Sequence, residues 1–370
     1  MVASVAMLAG AALVASPAAQ AASSNFGFGY VWANSPSTAI GVSYTPSTTY
    51  QLNSTGRLNT ITRTGVGAYS VVFPDFGSRG TALVTAYGSG DARCKIDRFT
   101  VLPPNPFNPN EPIDTVVRVR CFDRNGAPVD SMFTASYTNP APGMTRSAYL
   151  LYDRPGFRPN PNFTYNSTGA ENLVSRADAG RYNVTLPGLG LPSSSTTPRH
   201  VKVTAYGAQS DPSAFCSVDN VDSVGSDAVA EVRCFSPQTG ARTDSGFTLS
   251  YVETGDILFT AAGSRPMAYA TPECLADPLG CNQGLRTFDT NPSGDVSITK
   301  VGPGQYAVQV PLDLIGGNVQ VGNWWTGRSD ARVTCKVAFW NSFDGVRVNC
   351  FDRFGNPPTG TAVFAVSFVR

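Results

Sequence analysis

The sequence predicts an all-β protein built of three tandem antiparallel β-sandwich domains, immunoglobulin-like or jelly-roll-like. Three observations predict it. An ordered set of landmarks recurs three times, apolar residues alternate with a period of two almost throughout, and six of the eight cysteines fall as one pair per repeat. A chain of 370 residues has room for two or three domains of ordinary size.

Residues 1–21 read as a secretory signal peptide. Met1 to Ala15 is an apolar run, and Ala19-Gln20-Ala21 is a small-x-small cleavage pattern. The run is too short to span a bilayer. No Lys or Arg precedes it, from which we expect that translation starts a few codons upstream. No later stretch reaches eighteen consecutive apolar residues, so no membrane span is expected in the mature chain.

The repeats run over 25–138, 147–252 and 266–370. Each opens near a tyrosine: Tyr30, Tyr149, Tyr269. A tract ending in glycine follows (50–56, 163–169, 290–294), then a hairpin pattern at 60–74, 173–187 and 297–311. VTAYG stands at 84–88 and 203–207, with VGNWW at 321–325 as the third copy. Next come a first cysteine strand (Cys94, Cys216, Cys335) and a second with Cys-Phe (Cys121, Cys234, Cys350). A closing strand ends each copy: FTASY, FTLSY, FAVSF. The second cysteines lie 113 and 116 residues apart. In the second cysteine strand Val117, Val119 and Cys121 share one face and Arg118, Arg120 and Phe122 the other, the alternation of a half-buried antiparallel strand.

The threefold repetition pairs Cys94 with Cys121, Cys216 with Cys234 and Cys335 with Cys350, as buried cross-strand or inter-sheet disulfides. Cys274 and Cys281 occur only in the third copy and are expected to close a small loop. Disulfides agree with export. Metal binding is disfavoured: there is no Cys-x-x-Cys, and the only imidazole is His200.

Charge excludes some partners. Lys+Arg 27 against Asp+Glu 26 gives a net charge of +1, which removes a broad basic footprint for nucleic acid. Only four of the 27 basic residues are lysine (Lys95, Lys202, Lys300, Lys336), a bias attributed to GC-rich bacterial codon usage. No nucleophile elbow, P-loop or dinucleotide fingerprint occurs. His200 starts the VKVTAYG strand without counterparts. Thr243-Asp244-Ser245-Gly246 and its copy at Asp130-Ser131 read as turns into the last strand. Asp123 and Asp352 read as turn formers, and Asp219, Asp222 and Asp227 as a solvated loop with a calcium site as the sharper alternative. No catalytic residue, cofactor or metal is expected.

The candidate ligand site is an outward aromatic per repeat beside an outward polar residue: Tyr87, Tyr206 and Trp324 (with Trp325), near Arg120, Arg233 and Asn349. Aromatic faces with neighbouring donors suit sugar rings. The competing reading packs these rings under a long loop or against the next repeat. The short linkers, 139–143 and 253–266, predict touching domains in a compact or gently bent rod.

Segments such as RTGVGAYSVVFP, LVTAYG and RVRCFDRNGAPVDSMFTASY and their copies resemble a group of secreted tandem-repeat β-sandwich proteins of actinomycetes and other soil bacteria. This resemblance covers the mature chain and implies fold and export; no site residue follows from it. More loosely, Gly67 to Phe73 and Asp130 to Phe133 are similar to jelly-roll domains of phage-tail and tumour-necrosis-factor type. Those often trimerise, which implies a pseudo-threefold cluster as the alternative to a rod. The functional expectation is a secreted, non-enzymatic protein with a structural or surface- or carbohydrate-binding role. The alternatives are an extracellular hydrolase with its site in repeat-specific loops, and an inhibitor-like protein-interaction module.

Overall fold

The computed structural model describes residues 27–77, 79–102, 113–139, 145–153, 158–192, 194–208, 211–255, 265–272, 285–291, 295–324 and 333–370. The signal segment, Cys274, Cys281 and Trp325 lie outside the described residues, as do most of both linkers.

The described chain is all-β. The first repeat supplies β1 (Gly27–Ala33), β2 (Ser43–Tyr44), β3 (Gln51–Asn53), β4 (Thr60–Gly65), β5 (Ala68–Phe73), β6 (Thr81–Tyr87), β7 (Arg93–Val101), β8 (Thr115–Phe122) and β9 (Met132–Asn139). The second supplies β10 (Ser147–Tyr152), β11 (Thr164–Asn166), β12 (Leu173–Asp178), β13 (Arg181–Leu186), β14 (Arg199–Tyr206), β15 (Phe215–Val224), β16 (Asp227–Phe235) and β17 (Gly246–Glu253). The third supplies β18 (Met267–Pro272), β19 (Leu285–Asp289), β20 (Ser297–Gly302), β21 (Gln305–Gln309), β22 (Asn318–Trp324), β23 (Thr334–Asn341), β24 (Gly345–Phe351) and β25 (Val363–Val369). Two short 3-10 turns are the only helical elements among the described residues.

Three sheets form, and each draws on two repeats. Strands β3-β1-β9-β6 continue into β23-β24-β21-β20. Strands β11-β10-β17-β14 continue into β7-β8-β5-β4-β2, and β19-β18-β25-β22 into β15-β16-β13-β12. Every junction, or seam, is a parallel pair in an otherwise antiparallel sheet: Tyr87 opposite Val337, Tyr206 opposite Ile96, Trp324 opposite Val218. Backbone bonds carry two of the seams further, from Gly88 N–H to Val337 O and from Gly207 N–H to Ile96 O, both 2.9 Å. The physical reason is an edge. β6, β14 and β22 each end their own four-strand half, and an uncovered edge leaves a row of N–H and C=O groups unpaired. Repeat 1 covers its edge with repeat 3, repeat 2 with repeat 1, and repeat 3 with repeat 2. The expectation of a rod is therefore corrected to a closed ring, because a rod would leave repeats 1 and 3 apart.

The layers are sandwich-like. One core cluster joins Val84, Phe133 and Tyr137 from one half of repeat 1 to Tyr69, Phe99 and Val119 from its other half. Equivalent clusters fill the other two repeats. Val117, Val119 and Cys121 are buried and Arg118 and Arg120 exposed as the alternation predicts, but Phe122, placed with the arginines, is buried at the cavity wall.

The repeats match down to their irregularities. Each first cysteine strand carries a bulge, between Ile96 and Arg98, Val218 and Asn220, and Val337 and Phe339. Each hairpin turn places a glycine at positive φ (Gly67, Gly180, Gly304) against the second cysteine of its repeat. The Gly67 carbonyl accepts from Cys121 N–H at 2.8 Å, and a Cβ there would meet the Cys121 carbonyl oxygen at 2.5 Å. Only glycine meets both demands. The three disulfides form as predicted, each a cross-strand bridge within one sheet. Closing loops of 27, 18 and 15 residues, they contribute about 3 kcal/mol each by chain entropy. Disulfides fit an oxidising compartment. No helix among the described residues is long and apolar enough to cross a membrane.

Candidate functional site

The expected aromatic platform is not an exposed row. Tyr87 packs into the core of repeat 3, its ring 5.1 Å from Trp32 and 5.3 Å from Trp340, with Tyr50 completing the group. Tyr206 enters the core of repeat 1 against Phe99, whose ring also meets Phe163. Trp324 is 6% exposed and belongs to the core of repeat 2. Each ring thus plugs its neighbour because its strand crosses the seam. Arg120 and Arg233 stand elsewhere, on outer sheet faces. Arg120 faces Asp97 at 3.8 Å, and Arg233 bridges Asp219 at 2.6 Å and Glu231 at 2.7 Å.

The acidic landmarks resolve into structural parts. Asp123 and Asp352 each accept two backbone N–H bonds in the turn after Cys-Phe. Asp130 clasps the hairpin of repeat 1, accepting from Arg63, Gly67 N–H and Tyr69 OH. Asp244 does the same with Arg176, Gly180 and Tyr182. The arginine bond in each case holds the carboxyl below its usual range. In repeat 3 Thr361 takes that place, and Tyr306 OH keeps only its bond from Ala362 N–H among those of the clasp. The calcium reading of Asp219, Asp222 and Asp227 is corrected. Asp219 pairs with Arg233, Asp222 accepts from Asn220, and Asp227 accepts from Gly188 N–H.

The strand faces that carry the seams converge on the ring centre, where the side chains are buried and largely polar. Gln320 is the hub of one layer. Its Oε1 accepts from Thr85 Oγ1 at 2.8 Å and from Lys202 Nζ at 3.4 Å. Its Nε2 donates to Thr134 Oγ1 and Asn318 Oδ1. Thr248 Oγ1 donates to the Ala82 carbonyl, so all three repeats are tied. His200, at the edge of this layer, is buried with Nδ1 on Thr271 Oγ1 at 2.8 Å. Burial, then the charge of Lys202, hold it well below its ordinary value and therefore neutral.

Beyond that layer lies a cavity of about 50 Å3 lined by all three repeats. The first cysteine of every repeat borders it, as do Arg93, Lys95, Lys336, Ser213, Asn323 and Thr334. Arg93 spans the centre. Its Nε donates to Thr334 Oγ1 at 3.1 Å, and its guanidinium lies 5.5 Å from the Phe215 ring centroid. These are the three residues that directly precede the first cysteines. Lys95 and Lys336, directly after two of those cysteines, are each only 4% exposed. Burial lowers both ammonium groups to about 8. Lys95 Nζ and Arg93 Nη1 are buried without a hydrogen-bond partner.

Sequence reasoning missed this cluster. The usable signal was lysine scarcity: three of the four lysines, Lys95, Lys202 and Lys336, are buried at the ring centre, while Lys300 is exposed. No protein family, curated protein or solved structure matches the chain.

Proposed function

We propose that the chain is a secreted, non-enzymatic scaffold with a structural or surface-attaching role. In this reading one β-sandwich unit, present over 25–138, 147–252 and 266–370, closes on its two copies as a pseudo-threefold cluster in the extracellular space. One observation carries the reading: the landmark residues shared by the repeats are consumed in seams, bridges and turns. What differs between repeats and faces solvent is then left for attachment. Among the described residues, Phe343, 95% exposed at the tip between β23 and β24, and Phe354, stacked by Arg353, are the most exposed aromatic groups, with Phe339 less so. The test incubates the oxidised chain from residue 22 onward with purified cell walls and insoluble polysaccharides. Retention that drops in Phe343→Ser/Phe354→Ser, without release of soluble sugar or peptide, supports attachment. Release of products would replace the scaffold by a hydrolase.

A second reading, an extracellular hydrolase, rests on one pair of side chains. Asp219 and Glu231 converge only in repeat 2, where the corresponding positions elsewhere are Asp97 with Arg118 and Ala338 with Arg347. Burial, with the neighbouring Glu231, raises Asp219. Burial also acts on Glu231, but its bonds from Arg181 and Arg233 outweigh it and hold that group down. Split protonation of two carboxyl groups is what acid–base hydrolysis needs. Neither residue lines the central cavity. If Asp219→Asn abolished any product release seen above, this reading would displace the first.

A further inference from the structure

We propose that the cavity at the ring centre is a binding site for a small free oxyanion such as phosphate or sulfate, held by Lys95, Lys336 and Arg93. The inference goes beyond the scaffold reading and does not depend on it.

Charge around the cavity is unbalanced. Three cationic side chains border one buried space, and an unpaired buried charge is among the costliest features a fold can carry. Carboxylates do act on them from outside: Asp97 and Asp211 on Lys95, Asp91 on Lys336, and Asp91, Asp123 and Asp352 on Arg93. Each of these acids has other partners. Asp91 faces Arg124 and Asp97 faces Arg120. Asp211 accepts from Ser213, while Asp123 and Asp352 hold their own turns. None forms an ion pair with the three cations among the described residues.

The space has the right size and the right donors. About 50 Å3 corresponds to roughly three to five water positions, the room one tetrahedral oxyanion needs. Lys95 Nζ and Arg93 Nη1 have donors to spare. Ser213, Asn323 and Thr334 add neutral polar groups at the wall. Charge-assisted bonds from ammonium and guanidinium to oxyanions are the strong class. A cation would meet three like charges there, and an apolar ligand would leave the donors unmet. The ligand would tie together polar groups of repeats 1 and 3 with Ser213 of repeat 2, beside the apolar contacts of Val84, Val203 and Val321.

The experiment measures thermal unfolding and titration calorimetry of the full oxidised chain. Orthophosphate and sulfate are added at constant ionic strength set with sodium chloride. The wild type is expected to gain stability saturably with either anion. In Lys95→Met/Lys336→Met the affinity falls at least about tenfold. The same variant is expected to match or exceed the wild type without added anion, because two buried ammonium groups are gone, one of them, Lys95 Nζ, without a hydrogen-bond partner. A wild type indifferent to both anions, or a variant with an unchanged response, overturns the proposal. A second readout compares wild type and variant. Burial lowers Lys95 and Lys336, so an anion that favours their charged forms draws protons from the buffer, and the heat changes with the buffer's ionisation enthalpy. Proton uptake that is lost in Lys95→Met/Lys336→Met supports the assignment; the same uptake in the variant overturns it.

Discussion

At Lys202 the ring centre is packed; at Lys95 and Lys336 it is hollow. Both places bury lysine ammonium groups contributed by strands that meet at the seams. At Lys202 the protein supplies its own acceptor, Gln320 Oε1, and Gln320 in turn satisfies Thr134 and Asn318. At Lys95 no side chain plays that part, and a cavity takes its place. The contrast teaches that a buried polar layer is stable when its hub is internal. Without an internal hub, a fold must leave room for an external one.

The sharpest way to break this contrast is to remove the internal hub. Gln320→Leu leaves Thr85, Thr134 and Lys202 without their shared partner, and we expect a loss of about 3–5 kcal/mol in denaturant unfolding. If the loss is below about 1 kcal/mol, the packed layer does not hold the repeats together. The disulfides beside the cavity come next. Cys94→Ala/Cys121→Ala closes the longest loop no longer and should cost about 3 kcal/mol, slightly more than Cys335→Ala/Cys350→Ala under the same conditions.

His200 sharpens the contrast through pH. It is neutral when folded, with its value held down by burial and by Lys202. Below about pH 6.5 the unfolded chain takes up a proton that the folded chain refuses, so stability falls as pH falls. Between pH 6.5 and 5 the loss should reach at most about 2 kcal/mol. His200→Gln keeps a bond to Thr271 within reach and should flatten this slope; an unchanged slope would assign the acid sensitivity elsewhere. The smallest effect belongs to the outer clasp. Asp244→Asn, with Arg176 largely in solvent, should lower stability by about 1 kcal/mol or less at pH 7. That difference should vanish as pH falls through the carboxylate range, since a depressed carboxyl contributes only above it. Repeat 3, which has Thr361 at that position, is an internal control.

Strand content and the cysteine pairs were legible because they rest on local periodicity and on a recurring pattern of residues. Val117, Val119 and Cys121 announce their own face in eight residues of sequence. The ring was not legible, since an edge strand does not record which partner will cover it. Tyr87, Tyr206 and Trp324 pack with a neighbour's core cluster and not with their own. Outward from one repeat, however, is inward to the next. Lys95 makes the same point: it stands directly across from Arg120, yet Arg120 is exposed and Lys95 is buried at the centre. Trp325, Cys274 and Cys281 bear on neither point, as they lie outside the described residues.

The cavity holds a lesson about linking copies end to end. Three separate identical subunits would present any centre-facing group in triplicate: three arginines or none, three lysines or none. Joined in one polypeptide, the copies can each carry a different residue there, and they do. Arg93, Phe215 and Thr334 form one set, and Lys95, Ser217 and Lys336 the next. Fusion thereby permits an intermediate dose of positive charge that strict symmetry forbids.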